Sequence, residues 1–238
     1  MTSSSSPRSK KLLLGLLLLL PITVYLTSLL ISGEVNFRTL EVMGPGPGTS
    51  DHALSHWSLV DYNGEPVTEK DLQGKVVIVS FFFTSCPTIC PAMNNNLREA
   101  HNRLSSFKDV VFVSFSVDPE TDTPEVLKKY AEELGVATSE KWIFLTGPRD
   151  SIYALANAYF LVAQQDAAAE GGYTHSQSAV LVDWNGVLRS RVVEDTKMLQ
   201  GSYDLTSPHH VDELVDDIRV LAKEFRKVKM EKKETLEE

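Results

Sequence analysis

The chain has 238 residues, of which 42% are hydrophobic and 23% are charged, and its formal net charge at pH 7 is −9. This length and composition are ordinary for one globular domain with appendages. Arg8, Lys10 and Lys11 precede every acidic residue, so the chain from Glu34 onward carries −12. Such an acidic domain argues against nucleic acid as a partner.

The first 50 residues predict a membrane anchor followed by a spacer. Residues 12–32 carry no charge, are long enough to cross a bilayer and follow three basic residues. We therefore expect a cytoplasmic N-terminus over residues 1–11 and a single-pass helix over residues 12–32 in a bacterial inner membrane. The rest of the chain would face the periplasm or exterior. No Ala-x-Ala cleavage site follows the apolar run, which favours an anchor over a signal peptide. Residues 33–50 end in a Gly/Pro-rich sequence that predicts a linker.

Residues 51–226 predict a domain in which strands and helices alternate. A hairpin is expected around Asn63-Gly64, because both central residues of such a turn need positive φ. The continuous apolar run at residues 76–83 predicts a buried strand. A helix is expected to follow it from about Pro91, since proline suits the first helical position.

The second half of the domain repeats this pattern. Residues 110–117 and 142–145 predict strands, and residues 150–159 predict a helix. Another helix is expected from Pro124 to Leu134, capped by Asp122 or Thr123 and ended by Gly135.

A second hairpin is expected around Asn185-Gly186, followed by a terminal helix. That helix has apolar residues at spacings of three and four, namely Val211, Leu214, Val215, Ile218, Leu221, Ala222 and Phe225. Residues 227–238 are almost all charged and predict a tail that frays after Arg226. The alternation of elements predicts an α/β thioredoxin-like fold, with a central mixed sheet flanked by helices.

Cys86 and Cys90, the only two cysteines, are each followed by a proline and lie at the predicted junction of strand and helix. The free N–H groups and the dipole at a helix N-terminus favour the thiolate, which attacks disulfides and binds soft metals. Three intervening residues give a wider loop than the two of the common thioredoxin redox pair. Two thiolates and one imidazole suit copper(I), and His175, just ahead of a predicted strand, is the candidate third ligand.

Four segments resemble the SCO/SenC family: FFTSCPTICP at 82–91, SVDPETDT at 116–123, LTG at 145–147 and HS at 175–176. The resemblance extends from about Trp57 to Leu221. It implies a copper metallochaperone that assembles the dinuclear copper centre of cytochrome c oxidase. Cys86, Cys90 and His175 would bind the ion as Cu(I), Cu(II) or both in turn. It also implies thiol-disulfide exchange by Cys86 and Cys90, with the copper-bearing oxidase subunit and a copper donor or thiol reductant as partners.

Three alternatives stay open at this point. A membrane-anchored thiol-disulfide reductase needs the dithiol without copper, and a structural disulfide is compatible with an oxidising compartment. A peroxiredoxin-like peroxidase is expected to have Thr-x-x-Cys with a nearby arginine. Thr84 is one residue out of register for that motif, and the loop contains no arginine.

The remaining polar candidates are interpreted as structural. Asp118 and Asp122 match turn and helix-cap chemistry, although both are expected near the cysteine loop. His209 and His210 are expected at the surface. Tyr203-Asp204 is expected in a loop, and residues 81–83, three phenylalanines, are expected in the core.

Overall fold

The computed structural model describes residues 19–24, 39–44 and 57–237. The chain divides into two compact units, Met1–Arg38 and Thr39–Glu238. In the first unit the described residues, 19–24, are helical. The rest of the predicted anchor at 12–32 and the predicted N-terminus at 1–11 lie outside the described residues. Among the described helices, none combines the length and the apolar character that a membrane span requires.

The described part of the second unit contains strands and helices in alternation. The strands are β1 (Glu41–Val42), β2 (Ser58–Asp61), β3 (Pro66–Thr68), β4 (Val76–Phe82), β5 (Val110–Ser116), β6 (Trp142–Thr146), β7 (Ala163–Gln165), β8 (Tyr173–His175), β9 (Ser178–Val182), β10 (Leu188–Ser190) and β11 (Tyr203–Asp204). The α-helices are α1 (Ile89–Arg103), α2 (Pro124–Leu134), α3 (Arg149–Ala158) and α4 (Pro208–Glu237). Short 3-10 helices occupy Glu69–Leu72 and Glu170–Gly172.

The main sheet is mixed, in the order β1-β10-β9-β4-β5-β6-β2-β3, and β11 also pairs with β9. Strands β4, β5 and β6 are parallel, whereas β9 runs antiparallel to β4. A separate small sheet joins β7 and β8. The mixed sheet with its helices confirms the predicted α/β class.

Strands β4 and β5 form the centre of the core. All seven residues of each strand are buried. Because successive side chains of a strand point to opposite faces, both faces of this part of the sheet are covered. The two strands are parallel, so the loops that follow them emerge at the same edge. The cysteine loop follows β4, and the Asp118–Asp122 turn follows β5 at that edge.

Both predicted hairpins are confirmed, and each has an aspartate that holds its turn. The Oδ1 atom of Asp61 accepts hydrogen bonds from the N–H groups of Asn63 and Glu65 at 2.8 and 2.9 Å. Oδ1 of Asp183 does the same for Asn185 and Val187 at 2.9 and 3.0 Å. These side chains satisfy turn N–H groups that the strand ladder leaves free.

Part of the predicted linker belongs to the domain. Strand β1 lies within residues 33–50, yet it pairs antiparallel with β10. Leu40 is buried, and its carbonyl oxygen accepts hydrogen bonds from the Arg189 guanidinium. The Gly/Pro content of the segment gave no indication of this pairing, which depends on a partner some 150 residues away.

Two predictions for the C-terminal region are wrong. Tyr203-Asp204 is strand β11 and pairs with β9, and Tyr203 is buried. Helix α4 continues to Glu237, beyond the predicted fraying point at Arg226. Phe225 stacks on Trp184 with ring centroids 4.9 Å apart, and Lys229 Nζ lies 2.9 Å from Asp109 Oδ2. The Lys229 ion pair lies beyond the apolar stripe, which ends at Phe225.

Candidate metal centre

The cysteine loop connects β4 to α1, as predicted, but the helix begins at Ile89 rather than at Pro91. Pro91 is therefore the third helical residue. The first N–H groups of a helix have no intrahelical acceptor, so a proline there interrupts no hydrogen bond. Cys90 consequently lies within the first turn of α1, and Cys86 precedes the helix.

The two thiols are free and buried, with opposite electrostatic environments. Burial acts to raise the pKa of Cys86, but hydrogen bonds from the backbone N–H groups of Cys90, Thr88 and Ile89 outweigh it and lower the pKa. Burial raises the pKa of Cys90 far above its usual range. The expected stabilisation of the thiolate by the helix N-terminus therefore applies to Cys86 and not to Cys90. Cys90 is 1% exposed and Cys86 is 8% exposed.

His175 ends strand β8 and lies against Cys90. Its Nε2 atom is 3.2 Å from Cys90 Sγ, and its Nδ1 atom is 3.0 Å from the carbonyl oxygen of Ser176. A carbonyl oxygen only accepts, so Nδ1 carries the proton and the Nε2 lone pair faces the sulfur. Burial lowers the pKa of His175 and keeps the imidazole neutral. A neutral imidazole whose second nitrogen donates to a carbonyl is the usual form of a histidine metal ligand.

The structure brings together all three residues that the sequence selected. One ligand atom each from Cys86, Cys90 and His175 forms a group in which every atom lies within 4.8 Å of the others. All three side chains are buried. Two sulfurs and one imidazole nitrogen converge on one point at the edge of the sheet.

An aromatic wall lies beside this group. The Phe83 ring is edge-on to His175 with centroids 5.7 Å apart, and it contacts Tyr173 at 5.4 Å. Gly171 has φ +80°, and a Cβ atom there would lie 2.7 Å from Phe83 Cε2. Only glycine allows the chain before β8 to approach Phe83 this closely. Phe83, predicted as a core residue, is buried and also shields one side of the site from water.

Asp122 was predicted as a possible helix cap and has a different role. Its Oδ2 atom accepts hydrogen bonds from Thr84 N at 3.1 Å and Ser116 Oγ at 2.5 Å, and its Oδ1 atom accepts from Thr84 Oγ1 at 2.5 Å. Thr123 occupies the cap position of α2, but its side chain makes no capping hydrogen bond. Asp118 accepts a hydrogen bond from Tyr173 Oη at 2.7 Å. Both carboxylates therefore contact segments that lead to the cysteines or to His175.

Among the described residues, no histidine other than His175 joins the group. His209 is exposed, as predicted, and its nearest carboxylate is that of Glu213 at 3.8 Å. His210 is half-buried, and its Nδ1 atom accepts a hydrogen bond from the N–H group of Asp204. His52 and His56 lie outside the described residues.

The family profile and the related sequences all indicate the same family. The SCO1/SenC family profile matches residues 46–205. An SCO1 protein homolog of Bacillus subtilis is 33% identical over 147 residues, covering 58% of this chain and 76% of the relative. The mitochondrial SCO1 homolog 1 of Arabidopsis thaliana is 32% identical over 197 residues, or 82% of this chain. The alignment covers only 54% of the length of that relative.

Solved structures give the same result. The structure of BsSco, described as a member of the Sco family of cytochrome c oxidase assembly proteins with a disulfide switch, has a TM-score of 0.60 and 26% identity. The match covers 76% of this chain and 98% of the BsSco chain. The structure of Arabidopsis thaliana ScoI with copper bound has a TM-score of 0.54 and 30% identity. That match covers 69% of this chain and 97% of the ScoI chain. The chain belongs to the SCO1/SenC family.

Proposed function

We propose that this chain is a copper metallochaperone that binds one copper ion through Cys86, Cys90 and His175 and delivers it to the dinuclear copper centre of cytochrome c oxidase. The observation that carries the proposal is the convergence of the three ligand atoms within 4.8 Å. Two related structures support it, since one is described with copper bound and another as a cytochrome c oxidase assembly protein.

The donor set fits copper as cargo. Thiolate sulfur and imidazole nitrogen are the donors that soft Cu(I) prefers, whereas a hard cation such as Mg²⁺ prefers oxygen. No carboxylate of the described residues belongs to the group. His175 is held neutral, and Cys86 Sγ is already stabilised as a thiolate by the N–H groups around it.

Binding at this site is coupled to protons. Cys90 must lose a proton before its sulfur coordinates, because the thiolate is the metal ligand. Its pKa is raised by burial, so the copper-free protein holds that proton firmly. Return of a proton to Cys90 Sγ removes one ligand and thereby favours release of the cargo to a partner.

The location and partners are part of the same proposal. Residues 12–32 would anchor the chain in the inner membrane, with the copper domain on the periplasmic or exterior side. The copper-bearing oxidase subunit would receive the ion, and a separate chaperone or thiol reductant would reload the site. The uncharged stretch behind three basic residues supports this orientation.

His175→Ala tests the three-ligand site. We expect its Cu(I) affinity to fall by more than tenfold, because one donor is lost while both sulfurs remain. The purified full-length chain, reduced without oxygen, would be titrated with Cu(I) against a competing chelator, and circular dichroism would report the fold. His209→Ala is the matched control, since His209 is exposed and outside the group. Wild-type affinity in His175→Ala would show that the three-ligand site is wrong.

A second candidate function, thiol-disulfide reduction of the oxidase subunit, is favoured by the asymmetry of the two thiols. The Cys86 thiolate would attack a partner disulfide and release one partner thiolate. Cys90 would then attack the Cys86 sulfur of the mixed disulfide, which releases the second partner thiolate and leaves Cys86 and Cys90 oxidised. In stopped-flow exchange with an oxidised peptide, this function predicts a near wild-type rate for His175→Ala and none for Cys86→Ser. Equal losses in both variants would count against a copper-independent reductase.

A further inference from the structure

Asp122 is a fully buried carboxylate with no cationic partner. Its exposed fraction is 0%, and no described lysine, arginine or histidine lies within ion-pair distance of it. Charged side chains are almost never fully buried unless they are paired. Burial raises the pKa of Asp122, and three hydrogen bonds from Ser116 and Thr84 oppose that rise. Burying such a group lowers the stability of the fold, so stability alone does not explain its presence.

The hydrogen bonds of Asp122 converge on the beginning of the cysteine loop. Both the backbone N–H and the hydroxyl of Thr84 donate to its carboxylate. Thr84 lies two residues before Cys86 and two residues after the end of β4. The carboxylate thereby fixes the direction in which the chain leaves the sheet toward Cys86.

The same network continues to the segment that carries His175. Ser116 Oγ donates to Asp122 and accepts from the N–H group of Asp118 at 3.1 Å. The Asp118 carboxylate accepts from Tyr173 Oη. Tyr173 begins strand β8, and His175 ends it. A continuous chain of hydrogen bonds thus connects the segment before Cys86 to the strand of His175.

We propose that Asp122 is a positioning residue for the metal centre, which sets the cysteine loop against the strand of His175 through Thr84 and Ser116. This inference rests on the proposed copper function, because its main readout is copper affinity.

Asp122→Asn and Thr84→Val are the two test variants. Asp122→Asn keeps the size of the side chain and removes the charge, whereas Thr84→Val removes only one hydroxyl donor. Asp217→Asn is the matched control, because Asp217 is also 0% exposed but binds Arg191 and Tyr203 instead. All would be made in the purified full-length chain, with thermal unfolding recorded for each.

Two measurements separate positioning from general stability. The first is Cu(I) affinity against a competing chelator, which should fall roughly 10–100-fold in Asp122→Asn, as for loss of other groups that orient metal ligands. Thr84→Val should lose less. The second is the dithiol-disulfide equilibrium of the copper-free chain with glutathione. We expect the disulfide to be less favoured in both variants, since a looser loop holds Cys86 and Cys90 together less well. Asp217→Asn should lower the unfolding temperature and leave both measurements at wild type.

Wild-type copper affinity and a wild-type glutathione equilibrium in both test variants would overturn the proposal. Losses in Asp217→Asn as large as those in Asp122→Asn would overturn it as well, because they would reflect destabilisation. If Asp122→Asn does not fold, Thr84→Val alone decides. If the wild-type chain binds no Cu(I), the proposed function fails, and the glutathione equilibrium still decides the role of Asp122.

Discussion

Cys90→Ser is expected to abolish copper retention and intramolecular disulfide formation together. Cys90 Sγ is the most buried of the three proposed donors and lies 3.2 Å from His175 Nε2. A serine hydroxyl stays protonated and is a poor donor for a soft metal. Loss of a ligand should therefore lower Cu(I) affinity by more than the roughly 10–100-fold that loss of an orienting group costs.

The measurement is the copper bound per chain after anaerobic loading and removal of excess ion with a competing chelator. Ser85→Ala is the matched control, because Ser85 lies in the same loop but is exposed. The control should retain copper at the wild-type level. A Cys90→Ser chain that retained one copper ion as firmly as wild type would contradict the assignment of Cys90 as a ligand.

Arg191→Met is expected to cause the largest loss of stability, about 3–5 kcal/mol of unfolding free energy. The Arg191 guanidinium donates from Nε to Asp217 Oδ2 at 2.7 Å and also pairs with Glu213. The Asp217 side chain has no exposed surface. Removing the guanidinium therefore leaves a buried charge whose one remaining hydrogen-bond donor, within the described part of the chain, is the hydroxyl of Tyr203. Such a loss is a large share of the roughly 5–15 kcal/mol that stabilises a typical domain.

Urea denaturation of the two chains would measure this difference. Arg103→Met is the control, because it removes a 2.6 Å ion pair with Asp212 whose side chains are 29% and 63% exposed. A pair this exposed should contribute no more than about 1 kcal/mol. Similar unfolding free energies for Arg191→Met and wild type would show that the contacts of Arg191 with Asp217 and Glu213 do not hold α4 to the end of β10.

The parts of the fold that depend on local sequence were predictable. Continuous apolar runs identified β4 and β5 because both faces of these strands are buried. Asn-Gly pairs identified two hairpins, although only the glycines of these pairs, Gly64 and Gly186, have positive φ. Strand β1 and strand β11 were not predictable in this way. Each has two residues and is defined by a distant partner, respectively β10 and β9.

The three ligand residues of the candidate site were predictable from the sequence, but the groups that surround them were not. The cysteine motif and His175 were selected from the sequence, and the structure places their ligand atoms together. Burial raises the pKa of Cys90, whereas N–H groups at the start of the helix lower the pKa of Cys86, and the motif encodes neither difference. Asp122 was interpreted as a cap because Asp-Thr-Pro fits a helix start. Its hydrogen-bond donors are instead Ser116 and Thr84, and Thr84 is 38 residues away.

X-ray absorption at the copper edge of the Cu(I)-loaded full-length chain is the most direct test of the proposed copper site. We predict one copper ion per chain with two sulfur donors and one nitrogen donor. In His175→Ala the nitrogen donor should disappear while both sulfurs remain. A site with fewer than two sulfurs, or an unchanged nitrogen donor in His175→Ala, would contradict the assignment of Cys86, Cys90 and His175 as ligands.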